Sequence, residues 1–160
     1  MNIAGLPAHP LLVHLAVVLV PIAALAFVLV MWRGSWRRAY GGLIAAAAAV
    51  GAAGALLAAQ SGESLEHTLR ATQGIRRELG EHPEQGDAAE FLALIFGLVA
   101  VALWAIDRWG ARWSLPAWTP VLVYAAGVLA AAGSTGAMVV AGDSGARLVW
   151  ETLGTFVTPR

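Results

Sequence analysis

The stretch LLVHLAVVLVPIAALAFVLVMW, residues 11–32, decides the fold because it contains no Asp, Glu, Lys or Arg. A bilayer hydrocarbon core about 30 Å thick requires about 20 helical residues, so this stretch predicts a membrane-spanning helix. No Lys or Arg precedes it, and a signal peptide would begin with basic residues, so we interpret the stretch as a retained span. Pro21 removes one backbone hydrogen bond near its middle, and we expect a kink there.

The composition of the whole chain agrees with a membrane location. Of the 160 residues, 59% are hydrophobic and 12% are charged, whereas a soluble domain has about 25% charged residues. The formal net charge is zero, so the chain lacks the basic surface of a nucleic-acid-binding protein. The absence of cysteine excludes disulfides, c-type haem attachment and cysteine-ligated iron–sulfur clusters.

Three further apolar runs predict an all-α protein, a four-helix antiparallel transmembrane bundle that forms one domain. Residues 61–87 form a long polar segment, for which we expect short helices with breaks that cap the outer end. In the tail, residues 142–160, we expect an amphipathic piece around Trp150 to lie in the membrane interface. The predicted spans are residues 11–32, 41–60, 88–106 and 119–141.

The distribution of arginine predicts the orientation of this bundle. The short loops between spans 1 and 2 and between spans 3 and 4 are rich in Arg and contain one acid, Asp107. Short loops rich in Arg mark the cytoplasmic side. We therefore predict a multi-pass protein of the bacterial inner membrane, with both termini and the polar segment outside. An aromatic belt is predicted at the cytoplasmic face from Trp32, Trp36, Tyr40, Trp109, Trp113 and Trp118.

This topology places all four histidines, His9, His14, His67 and His82, at the outer face. His14 lies about 4–5 Å below the start of the first span, at about 1.5 Å per residue. Ionisable groups at such depth usually face the interior of a bundle, and we expect the same of His14. It could donate a hydrogen bond to a neighbouring helix, ligate a b-type haem, or serve as a metal ligand or proton relay.

The polar segment offers two further pairs, Glu63 with His67 and Glu78 with His82. The members of each pair are four residues apart and would share a helix face. Mixed His and carboxylate ligands suit Zn, Mn, Fe or Ni, so these residues are candidate metal ligands. The alternative is a solvated helix face. No activated nucleophile is present, and Asp143 is interpreted as the N-cap of a tail helix.

Two small-residue features recur along the chain. Ala47, Gly51 and Ala55 form a stripe of the kind that lets helices approach closely in lipid. Ser61-Gly62 follows span 2, and Ser144-Gly145 follows span 4. Two related hairpins would produce this repetition of Ser-Gly, but a shared small-residue composition would produce it as well. We prefer the compositional explanation.

The motif His9-Pro10-Leu11-Leu12-Val13-His14 resembles the opening motif of the domain-of-unknown-function 2231 family, which comprises small bacterial four-span membrane proteins. The resemblance implies the same fold and membrane location. Some members look fused to redox modules, which implies a haem or electron-transfer setting. The similarity covers nearly the whole chain and continues through Ser61-Gly62, His82, Gly86-Asp87 and Gly142–Ala146.

We therefore favour a non-enzymatic membrane protein with a histidine-based site for haem b or a transition metal. His14 and His82 are the leading ligands, followed by His9 and His67, and the role would be electron relay or metal handling. The alternative is a structural or accessory subunit, without a cofactor, of a larger membrane complex or a homo-oligomer. We expect the lipid bilayer and such a protein to be its partners, and we expect no binding of nucleic acid.

Overall fold

A computed structural model describes residues 2–3, 6–73 and 81–157. Within these residues, two strands of two residues each pair in antiparallel fashion ahead of the first helix, and four long helices follow. A short 3-10 helix lies between the third and fourth helices. The elements are β1 (Asn2–Ile3), β2 (Leu6–Pro7), α1 (Ala8–Val30), α2 (Gly34–Gln73), α3 (His82–Trp109), the 3-10 helix (Gly110–Trp113) and α4 (Thr119–Val157).

The four helices form an antiparallel bundle in which each packs against its neighbours in the chain and α1 closes the ring against α4. Each contains a stretch long and apolar enough to cross a membrane, which confirms the predicted fold class. The observed stretches are longer than predicted at the ends of α2, α3 and α4. They cover His9–Val30, Gly34–Ser64, His82–Trp113 and Thr119–Leu148.

The second and fourth helices continue well beyond the predicted spans. They contain 40 and 39 residues, and at about 1.5 Å per residue each is about 60 Å long, roughly twice the hydrocarbon thickness. The expectation of a helix break after span 2 is therefore wrong as far as Gln73. The helix α2 is continuous up to that residue, since no proline interrupts it. Residues 74–80, including Glu78, lie outside the described residues.

The expectation of a separate tail helix is also wrong. The fourth helix runs without interruption through Asp143, which therefore cannot act as an N-cap. Instead its carboxylate accepts a hydrogen bond from Arg147 one turn later, at 2.8 Å. Pairs of opposite charge four residues apart stabilise a helix, so this polar stretch continues the apolar one without a break.

An aromatic cluster joins three helices in the core. The ring of Phe27 meets Phe96 edge-on at a centroid distance of 5.6 Å and stacks on Tyr124 at 5.7 Å. The Tyr124 hydroxyl donates a hydrogen bond to the Val28 carbonyl at 2.9 Å. Aromatic pairs in these geometries add about 0.5–1.5 kcal/mol beyond area burial, so the cluster fixes α1 against α3 and α4.

Small residues determine how closely α2 approaches its neighbours. A Cβ at Gly51 would lie 2.9 Å from Val20 Cγ2, and one at Gly97 would lie 3.0 Å from the Ala52 Cβ. The small-residue stripe of span 2 therefore packs against α1 within the same chain. Close approach between backbones is the usual reason for such stripes in membrane bundles.

The Arg-rich loops lie together at one end of the bundle. Arg37 of α2 pairs with Asp107 of α3 at 2.8 Å, and their side chains are only 16% and 14% exposed. The Arg33 guanidinium lies 5.1 Å from the ring centroids of both Trp32 and Trp36. This end is opposite the starts of α1 and α3, as the predicted topology requires.

Candidate functional site

Both odd-numbered helices begin with the same dipeptide. His9-Pro10 lies in the first turn of α1, and His82-Pro83 forms the first two residues of α3. Proline is tolerated in a first turn because the N–H groups there have no partner within the helix. A His-Pro pair therefore lies in the first turn of each of these helices, and the antiparallel bundle brings both histidines to the same end.

His9 is held by the end of α2. Its Nδ1 lies 2.8 Å from the Ala58 carbonyl oxygen and 3.4 Å from the Ser61 hydroxyl. The Ser61 hydroxyl itself donates to the same carbonyl at 2.8 Å. A carbonyl oxygen can only accept, so the Nδ1 of His9 carries the proton and its Nε2 keeps a free lone pair.

His82 is held in the same way by α4. Its Nδ1 lies 2.9 Å from the Ser144 hydroxyl oxygen, and that hydroxyl donates its only proton to the Ala141 carbonyl at 3.0 Å. When that hydroxyl donates to the Ala141 carbonyl, its oxygen accepts from Nδ1–H of His82. We assign His82 this tautomer, the same as in His9, with the lone pair on Nε2.

A glycine follows each of these serines and receives the imidazole ring. A Cβ at Gly62 would lie 3.0 Å from Cε1 of His9, and a Cβ at Gly145 would lie 2.9 Å from Cε1 of His82. Both distances are shorter than ordinary carbon–carbon contacts of about 3.5–4.0 Å. Each Ser-Gly pair thus places a serine hydroxyl beside one ring and leaves the space in which that ring lies.

These matching arrangements favour two related hairpins over shared composition as the source of the Ser-Gly echo. A serine bonded to the carbonyl three residues earlier also occurs at Ser134, but composition alone would not place a histidine ring against the Ser-Gly pair in both halves. The core positions also match when His9 is aligned with His82 and Ser61 with Ser144. Buried residues recur at the equivalent positions Ala16 and Ala89, Val20 and Ala93, Ala48 and Ala131, and Ala55 and Met138.

A cavity of about 70 Å³ lies between the hairpins and is lined by both His9 and His82. All four helices contribute to its wall, whose other residues are alanine, valine and glycine apart from Glu90 and Met138. The composition of this wall could not be read from the sequence, because Glu90 and Met138 belong to predicted spans without any motif. The signal that could have located the site was the recurrence of His-Pro together with Ser-Gly.

The prediction that His14 faces the bundle interior is wrong. Its side chain is exposed, and its Nδ1 donates to the Pro10 carbonyl one turn earlier in α1. Five residues of helix separate its direction from that of His9 by about 140°, at 3.6 residues per turn. Because His9 points toward α2, His14 must point outward.

The other predicted ligands do not join the cavity. Glu63 and His67 are exposed on the projecting part of α2, and Glu78 lies outside the described residues. Among the residues that the structure describes, no group of three or more His, Asp or Glu side chains could hold a metal ion. Of the four predicted histidines, the structure brings together His9 and His82.

The fold and this arrangement define a class of integral membrane protein: a four-span bundle built from two hairpins that each begin at a His-Pro pair. The chain belongs to the family described as predicted membrane protein (DUF2231), whose family model matches residues 5–157. The resemblance inferred from the opening motif is thereby confirmed. No curated protein and no solved structure matches the chain significantly.

Proposed function

We propose that this membrane protein binds a transition-metal ion between the imidazoles of His9 and His82 and handles that ion at the outer face. The observation that carries the proposal is the common state of the two rings on one cavity. Both Nδ1–H groups are used by acceptors of the neighbouring helix, so both Nε2 lone pairs are available. Histidines that ligate metals almost always donate their other N–H in this manner, which fixes the tautomer and the ring orientation.

A purely structural role does not account well for two histidines on one cavity whose Nε2 atoms both lack a hydrogen-bond donor among the described residues. A neutral imidazole in a helix bundle is ordinarily satisfied by donating one hydrogen bond and accepting another. Within the described part of the chain, neither His9 nor His82 has a hydrogen-bond donor at Nε2. Two acceptors without donors on one cavity are the arrangement that a cation would complete.

The size of the cavity favours an ion over a haem. Cofactor and ligand pockets usually measure about 300–1,000 Å³, whereas this cavity measures about 70 Å³. About 10–15 Å³ of such space holds one water molecule, so an ion with several waters fits the cavity. A b-type haem does not fit in this volume.

The metal proposal predicts that either histidine is required for binding. His9→Ala and His82→Ala should each weaken binding of the metal on the order of 100-fold, since even the loss of an outer-shell partner costs about 10–100-fold. The measurement is a calorimetric titration of detergent-purified protein with Zn²⁺, Co²⁺, Ni²⁺ and Cu⁺ salts. His14→Ala and His67→Ala are the matched controls, because both side chains are exposed, and they should bind like the wild type. Wild-type protein that binds none of these ions, or a double variant with unchanged affinity, would contradict the proposal.

We also propose that the site lies on the outer side of the inner membrane. The Arg-rich loops at the opposite end support this orientation, because positive short loops remain in the cytoplasm. The chain contains no cysteine, so single cysteines can report its topology. A membrane-impermeant maleimide should label Glu63→Cys in intact spheroplasts, but Ala111→Cys only after lysis. The reverse labelling pattern would show the opposite orientation.

The second candidate function is an accessory subunit that binds a protein partner through α4. This helix is the least buried of the four candidate spans, and Gly136 on it has open space beside it. In this case the wild-type protein would bind no metal, so the titration described above separates the two candidates.

A further inference from the structure

We infer that the ion is monovalent copper, held by the Met138 thioether together with the imidazoles of His9 and His82. This inference rests on the proposed metal-binding function and adds the identity of the ion. Met138 lies on α4, is 4% exposed, and lines the same cavity as both histidines. Two histidines and one methionine therefore line one cavity.

Met138 is one of the cavity positions at which the two related hairpins differ in chemistry. The equivalent position in the first hairpin is Ala55, which lines the cavity with a methyl group. Methionine often fills irregular gaps in a core, and this is the alternative, purely structural explanation for Met138. Here it lines the same cavity as both histidines.

The donor types discriminate between ions. Imidazole suits Zn, Cu, Fe and Ni alike, whereas thiolate and thioether sulfur select for Cu(I). Zinc is bound by Cys, His, Asp and Glu, and thioether is absent from its usual ligands. The chain has no cysteine and only three methionines, of which Met31 lies near Gly41 and Trp104 at the opposite end of the bundle. Met138 is therefore the soft donor that the described part of the chain places at the cavity.

The test compares two methionine variants of the full-length protein in detergent. Met138→Leu conserves volume and should preserve the fold, yet it should weaken Cu(I) binding at least about tenfold in competition with a chromogenic Cu(I) chelator under reductant. Its affinity for Co²⁺ and Ni²⁺ should remain that of the wild type. Met31→Leu is the matched control and should leave Cu(I) affinity unchanged. Circular dichroism of each variant establishes that the helices are intact.

X-ray absorption at the copper edge gives a second readout. The wild type should show one sulfur scatterer in the first coordination shell, and Met138→Leu should show only light scatterers. If the His9 and His82 variants lose metal while Met138→Leu binds Cu(I) normally and no sulfur is seen, the copper inference is overturned and the metal site stands. If the histidine variants retain all metals, the proposed function itself fails.

Discussion

Replacing Gly127 with alanine should destabilise the protein by about 3 kcal/mol, the upper part of the range for overpacking a core. Gly127 is buried in α4, and an added Cβ would overlap the tip of the Phe27 ring and lie 3.2 Å from Val99 Cγ1. The Phe27 ring is fully buried between Phe96 and Tyr124, so it has no space into which to move. Alanine gains about 1 kcal/mol over glycine in helix propensity, which is smaller than the steric cost.

The matched control for this variant is Gly136→Ala on the same helix. Nothing lies within 4 Å of the position that its Cβ would occupy, so this change should be neutral or slightly stabilising. The measurement is the free energy of unfolding in mixed micelles, followed by circular dichroism. Combining Gly127→Ala with Phe27→Leu should recover part of the loss, because the shorter side chain vacates the overlap. Equal stability of the two alanine variants would refute the predicted packing.

The second large effect is expected at the end of the bundle that holds the Arg-rich loops. There Arg37→Met should lower the free energy of unfolding by about 3 kcal/mol. Arg37 and Asp107 join α2 to α3 at 2.8 Å with side chains that are 16% and 14% exposed. Removing one member of a buried pair costs about 3–5 kcal/mol, because the other charge remains without its partner. We expect the lower end of that range, since both side chains retain some exposure.

The chain contains a control pair with the same N–O distance, within one helix and in a different environment. Arg147 and Asp143 also lie 2.8 Å apart, but their side chains are 69% and 61% exposed. Arg147→Met should therefore change the free energy of unfolding by less than about 0.5 kcal/mol. The double variant Arg37→Met with Asp107→Leu should recover most of the stability lost by Arg37→Met alone. Similar losses for Arg37→Met and Arg147→Met would show that burial does not determine the strength of these pairs.

The site was only partly predictable from the sequence because its contacts join distant segments. His9 lies 52 residues from Ser61, and His82 lies 62 residues from Ser144. Local spacing instead suggested the pairs with Glu63 and Glu78, in which both members would share one helix face. The recurrence of Ser-Gly is visible in the sequence, but small residues are so common in this chain that the recurrence alone does not indicate a site.

The sequence by itself determined that the protein crosses the membrane four times, because charge-free apolar runs of sufficient length have no stable alternative in water or lipid. It also placed the Arg-rich loops at one end and the histidines at the other. Only the tertiary structure decided which histidine faces the bundle. Proline sets where a helix starts, but the direction of each side chain around the helix axis depends on the surface against which that helix packs. Here the carbonyl of Ala58 and the space beside Gly62 turn His9 inward, and helix geometry then turns His14 outward.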